Sequence, residues 1–150
     1  MIVLTDLDRY PCPSALISEW LMNPLHPNLL LRVAVREIEA WLLADRTNIA
    51  HYLRTSEKWI PIDPDGMDDP KATLIEAARR SRSRELRERI VPNTGSTAKQ
   101  GREYNSCLAG FVHMAWDIGK TATQSKSLRR TVLKLESFTP LWPADTIPAQ

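Results

Sequence analysis

Long apolar runs are missing from this 150-residue chain: none approaches the about twenty residues of a membrane-crossing helix, and the first residues lack a signal peptide's basic flank. A cytoplasmic location is the default expectation. Cysteine is scarce as well. Cys12 and Cys107 lie far apart and neither belongs to a CxxC pair, so a zinc site or redox motif has no support and both are expected as reduced thiols. The histidines are equally isolated: His26 falls in a proline-rich loop, His51 has no acidic or cysteine partner at ligand spacing, and His113 lies beside an apolar stripe. The stretch NTGSTAKQGR at 93–102 lacks the GxxxxGK[ST] spacing of a phosphate-binding loop, which removes a nucleoside-triphosphate reading. No internal repeat or extended low-complexity segment is present.

What is there suits one globular domain. A hydrophobic content of 43% with 25% charged residues is ordinary for a folded chain, and the length is enough to bury a core. The net charge of +2 hides an asymmetry: residues 1–69 carry 6 Lys and Arg against 11 Asp and Glu, whereas residues 70–150 carry 14 against 7. An acidic half able to hold a cation beside a basic half able to hold phosphates is the division that a nucleic-acid enzyme needs.

The acidic half is organised around residues 2–9, IVLTDLDR, a β-prone apolar run that ends in two aspartates one residue apart. Side chains alternate along an extended chain, so Asp6 and Asp8 are expected to point the same way. Carboxylates held that close repel unless a cation, a proton or a ring of donors lies between them, and hard Mg²⁺ or Mn²⁺ suits their oxygens. The alternative is a pair that merely caps a turn. Residues 28–35, NLLLRVAV, form a second apolar run, and Glu37 and Glu39 follow it directly. A helix over 14–22 between the two runs has the length of a right-handed crossover between parallel strands. Both strands then end on one edge, where open parallel sheets bind ligands, and that edge collects Asp6, Asp8, Glu37 and Glu39. In the first turn of the next helix the two glutamates could equally serve its dipole; Glu37, nearest the strand, is the better ligand candidate.

From Arg36 the period changes, with Ile38, Trp41, Leu42, Ile49, Tyr52 and Leu53 on one face of a long expected helix. An irregular connection over 55–69 leads to Asp69-Pro70-Lys71, a helix start with Pro at the first position. Residues 79–89, RRSRSRELRER, hold six arginines and two glutamates, with Ser83 placed to cap a short helix. Arg79, Arg80, Arg82 and Arg84, with Lys99 and Arg102 from the following loop, are candidates for contact with nucleic-acid phosphates. The opposing reading is a solvated face with internal pairs, Arg84 with Glu88 and Glu85 with Arg89. A helix is expected over 107–116, closed by Gly119, then a polar loop over 121–127 and a last helix with the stripe Leu128, Val132, Leu135. Residues 140–150 read as a proline-rich tail.

Taken in order, Asp6-Leu7-Asp8, Cys12-Pro13-Ser14, Arg36-Glu37-Ile38-Glu39-Ala40-Trp41-Leu42-Leu43-Ala44-Asp45 and Asp69-Pro70-Lys71 resemble the RloG-like family of Toprim-type bacterial proteins. The resemblance runs from residue 2 to about 135. It implies an α/β fold with a small, mainly parallel, Toprim-like sheet and a helix-rich C-terminal half, over 1–139 as a single domain. It also implies Mg²⁺- or Mn²⁺-dependent phosphodiester chemistry on nucleic acid in bacterial defence, with Asp6, Asp8 and Glu37 as catalytic metal ligands, Glu39 beside them and Lys71 near a phosphate. Toprim-like domains generally carry an earlier strand ending in a catalytic Glu. Because this chain opens on the DxD strand, the resemblance further implies a truncated member whose uncovered first strand associates with a second copy or a defence partner. The rival from another class is a degenerate, non-catalytic subunit of a defence system.

Overall fold

The computed structural model describes residues 1–21 and 23–141, so residues 142–150 of the expected tail lie outside the described residues. Two short strands, β1 (Ile2–Asp6) and β2 (Leu30–Ala34), pair in parallel with Ile2 opposite Leu30 and Asp6 opposite Ala34. Pairing continues past the strand ends, where the Leu7 N–H donates to the Ala34 carbonyl and the Asp8 N–H to the Arg36 carbonyl, both at 2.9 Å. The crossover contains α1 (Pro13–Trp20), which starts on a proline because the first helical N–H has no partner to lose. Leu16 from α1 packs with Leu7 and Val33 to close one side of the sheet.

Among the described residues, eight helices and this sheet make a mixed α/β domain, as expected. The long helix expected after Arg36 is broken. It forms α2 (Ile38–Ala44) and α3 (Arg46–Tyr52), separated by Asp45 with φ −87° and ψ 63°. Ile38, placed on the buried face by periodicity, is 38% exposed. The break follows from a distant partner: the buried Asp45 carboxylate accepts the Asp117 N–H at 3.0 Å and the Asn48 side-chain amide at 2.9 Å. A 3₁₀ turn at Glu57–Trp59 interrupts the irregular connection, and α4 (Pro70–Arg79) follows, its first turn capped by Asp69 accepting from the Ala72 N–H at 2.7 Å.

Then come α5 (Arg84–Ile90), capped by Ser83, and α6 (Tyr104–Met114), which begins three residues earlier than expected and stops short of Trp116. Residues 121–127 are mostly helical: α7 (Ile118–Gln124) takes Gly119 into its first turn, against the expectation of a helix end there and a polar loop after it. Asp117 caps α7, and burial of Thr121 and Ala122 gives it an inner face. The last helix is α8 (Lys126–Glu136), its cap tied to the connection by Ser125 Oγ donating to the Asp65 carboxylate at 2.7 Å.

The main core lies among the helices rather than on the sheet, with Leu43, Ile49, Leu53, Leu74, Ile90, Tyr104 and Phe111 all fully enclosed. Burying an aliphatic side chain of this size contributes about 2 kcal/mol, so this cluster anchors the elements that carry the site. Trp41 links helices to sheet: it packs with Ala34, Ala122 and Leu128, and its indole N–H donates to Ser127 Oγ at 2.6 Å. On the other flank, Ile2 and Leu4 are 58% and 42% exposed. Among the described residues no third strand pairs with β1. No described helix is long and apolar enough to cross a membrane.

Candidate functional site at the acidic sheet edge

The parallel register sets the end of β1 beside the start of α2, so that Asp6 and Asp8 come level with residues 36–39. Two residues there hold left-handed backbones without being glycine, Asp8 at φ 48° and Arg36 at φ 62°. Such conformations cost of order 1 kcal/mol each and persist where surrounding bonds over-determine them. The bonds are present: besides the Asp8 to Arg36 backbone bond, an Arg36 guanidinium N–H donates to the Asp8 carbonyl at 3.3 Å.

Each acid meets a different partner. Asp6 Oδ1 accepts the Ile38 N–H at 2.8 Å, so its carboxylate caps α2. Glu37 Oε2 accepts the Lys71 N–H at 2.8 Å and thereby caps α4 together with Asp69. Glu39, only 4% exposed, accepts the Tyr104 hydroxyl at 2.8 Å and lies 3.5 Å from Lys71 Nζ. Lys71 in turn rests over the Tyr104 ring, 5.8 Å from its centroid. Asp8 is exposed, and among the described residues its carboxylate accepts no hydrogen bond. Sequence reasoning had no signal for Tyr104, an aromatic 65 positions from Glu39 with no local spacing to tie it there.

Burial, with crowding of like charge added to it, shifts these groups. Asp6 is raised above the ordinary carboxylate range, first by burial and further by Glu39 and Asp8, while the Ile38 N–H and Lys71 oppose the shift. Glu37 is raised in the same direction, mainly by burial and then by Glu39 and Asp69, against the Lys71 N–H and the Lys71 charge. The Tyr104 hydroxyl is pushed well above its usual value by burial and by the Glu39 carboxylate it faces.

The expected convergence of Asp6, Asp8 and Glu37 on one ion is corrected by the structure. Among the described residues no three His, Cys, Asp or Glu side chains come together as a metal-holding group. The reason is that Asp6 is drawn to α2, Glu37 to α4 and Glu39 into the core. A smaller set remains suitable: Mg²⁺ keeps several waters and commonly takes only one or two carboxylates plus substrate phosphates, and Asp6 and Asp8 offer hard oxygen donors of that number.

The basic candidates are dispersed. Lys71 joins the acids. Arg79 and Arg80 both pair with Glu76, and Arg80 also stacks on the Trp59 ring at 4.2 Å. Arg84 pairs with Glu88 at 2.7 Å and Arg89 with Glu85 at 3.4 Å, which is the internal pairing that the i,i+4 spacing predicts. Lys99 and Arg102 are exposed on the loop before α6. Only Arg82 of the four arginine candidates has no carboxylate partner among the described residues. In comparisons with known proteins, no family model, no curated protein and no solved structure matches this chain.

Proposed function

We propose that the chain acts on nucleic-acid phosphodiesters with Mg²⁺ or Mn²⁺ at the acidic sheet edge, as a Toprim-like nuclease or phosphoryl-transfer protein, with bacterial defence as its setting. The observation that carries this reading is the placement of Asp6, Asp8, Glu37 and Glu39, from two chain segments, at the carboxyl end of a parallel strand pair, with the Lys71 ammonium 3.5 Å from Glu39. Asp6 and Asp8 would hold the ion, and Glu37 and Glu39 would keep Lys71 and the start of α4 in place beside it. When bound, such an ion neutralises charge on a phosphoryl oxygen and makes a bound water more acidic. Lys71, held between Glu39 and the Tyr104 ring, has its ammonium at the same edge and can meet a phosphate that arrives there.

A second reading has its own observation: the Asp6, Glu37 and Glu39 carboxylates each hold a bond of the fold, which is how a degenerate, non-catalytic subunit would use them. Titration with Mn²⁺, followed by electron paramagnetic resonance on the wild type and Asp8→Asn, separates the two. Saturable binding that Asp8→Asn abolishes without moving the urea midpoint, together with Mg²⁺-dependent cleavage of labelled DNA or RNA, supports the enzyme. Absence of saturable binding in the wild type overturns it and leaves the subunit reading.

A further inference from the structure

A second charged feature lies away from the acidic edge. Arg82 does not sit alone: with His51, Arg54 and Thr55 it lines an open cleft of about 490 Å³ at the end of α3, and no carboxylate lines it. The two arginines are 28 positions apart, and the backbone brings them together, the Arg82 N–H donating to the Arg54 carbonyl at 2.9 Å. Both are exposed, and among the described residues neither lies within salt-bridge distance of an acid. Their neighbours differ: Arg79, Arg80, Arg84 and Arg89 are all paired.

The backbone at Arg54 adds an independent observation. The end of α3 is a Schellman motif, with the Thr55 N–H on the Ala50 carbonyl at 2.9 Å and the Arg54 N–H on the His51 carbonyl at 3.0 Å. The residue between them must be left-handed, a place where glycine is strongly preferred, yet it is Arg54 at φ 52°. A long cation kept where the backbone favours glycine points to a use for the cation.

We infer that the His51, Arg54, Thr55 and Arg82 cleft is a binding site for a backbone phosphate of nucleic acid, separate from the acidic edge. Two guanidiniums and an imidazole supply forked and single donors to an anion, and an open cleft suits a phosphate carried past on a polymer. Its position fits such a polymer. Helix α4 starts with Lys71 in its first turn at the acidic edge and ends, 10 residues on, just before the turn that carries Arg82. At 1.5 Å per residue that is on the order of 15 Å, or about four base steps at 3.4 Å each. A strand engaged at the edge would therefore present a later phosphate to the cleft.

The inference rests on the proposed nucleic-acid substrate, and its test leaves the cation out so that the two can fail separately. Binding of a short labelled duplex is followed by fluorescence anisotropy over a salt series in chelator, for the wild type, Arg54→Gln with Arg82→Gln, Arg54→Gly, Arg82→Gln, and Arg84→Gln as control. For each phosphate the cleft holds, the slope of log affinity against log salt falls by about 0.9 in the double variant, with no change in Arg84→Gln. The single variants give a smaller fall and decide the matter if the double variant does not fold. A slope unmoved by any cleft variant overturns the inference and leaves the cation site untouched, and so does a wild type that binds no duplex. A further arm adds inorganic phosphate at matched ionic strength. Inorganic phosphate that binds the wild type but not Arg82→Gln, while leaving duplex affinity where chloride leaves it, would make this a free-phosphate site and overturn the assignment to nucleic acid.

Discussion

Replacing Lys71 by Met should destabilise the fold through Glu39, and the size of the effect follows from the geometry. Lys71 Nζ lies 3.5 Å from Glu39 Oε1, and the same oxygen accepts the Tyr104 hydroxyl at 2.8 Å. At an effective dielectric of about 20, unit charges at that separation attract by roughly 5 kcal/mol. The Glu39 side chain is 5% exposed but that of Lys71 is 34% exposed, so solvent screens the pair and the ammonium gives up part of its hydration to form it. A net cost of about 2 kcal/mol for losing the cation follows, below the ~3–5 kcal/mol of a fully buried pair broken on one side. Methionine keeps an apolar stem on the Tyr104 ring, so packing changes little.

The assay is urea unfolding at pH 7 in a double-mutant cycle of Lys71→Met with Glu39→Gln, the glutamine retaining an acceptor for Tyr104. A coupling of about 2 kcal/mol is expected, with weak dependence on salt because the carboxylate is buried. Coupling below about 0.5 kcal/mol would place the pair among ordinary surface salt bridges and refute the reasoning. In that case Lys71 would not be held by the acids, and its role at a phosphate would have to rest on exposure alone.

Three further outcomes can be checked by the same unfolding measurement. Asp6 and Glu37 are both raised in the folded state, so the stability they contribute is complete below the ordinary carboxylate value near pH 4 and is lost as pH rises through their folded values. Asp6→Asn keeps the acceptor for Ile38 and should gain on the wild type as pH rises towards 7; a difference that stays flat with pH contradicts a carboxyl raised by burial and by its acidic neighbours. Arg54→Gly relieves a left-handed non-glycine residue and should raise stability by about 1 kcal/mol, while loss of stability would mean that the arginine side chain supports the fold. Gly101→Ala would place a Cβ 2.3 Å from the Arg89 carbonyl oxygen and 2.7 Å from the Ile90 carbonyl carbon, both backbone atoms, and should cost ~3 kcal/mol; a neutral result would show that the loop before α6 can shift freely.

How far the sequence spoke for the structure depended on the range of each interaction. The strands, the crossover and the acid-tipped edge are written in local patterns, an apolar run followed by acids twice over, and the structure has them with β1 and β2 parallel. The Arg84 and Arg89 ion pairs were legible for the same reason, since i,i+4 spacing alone brings them to Glu88 and Glu85. The break at Asp45 was not, because its cause is an N–H donor 72 residues away. Helix α7 was missed because its threonines, glutamine and glycine read as loop, whereas Thr121 and Ala122 are buried against the rest of the domain. The acidic edge was legible as a gathering of acids but not in its wiring: nothing local to Glu37 or Glu39 points to Lys71 or to Tyr104.

That wiring separates residues that serve the fold from residues left over. Charges along α4 already suit the helix itself, with Glu37 and Asp69 at its positive N-terminal end and Arg79 in its last turn, so acid and base at opposite ends need no ligand to explain them. The same holds for Asp6, whose carboxylate caps α2, and for Glu39, which satisfies a buried tyrosine. Asp8, Arg54 and Arg82 are different. All three are exposed, and among the described residues none of their side chains forms a salt bridge, while Asp8 and Arg54 occupy left-handed backbones that other residues fill at lower cost. Their side chains do not serve the fold through an ion pair, which leaves them available for the binding roles proposed above. The proposed function is therefore tested first at Asp8, the less bonded partner of Asp6, for a cation and at Arg54 and Arg82 for a phosphate.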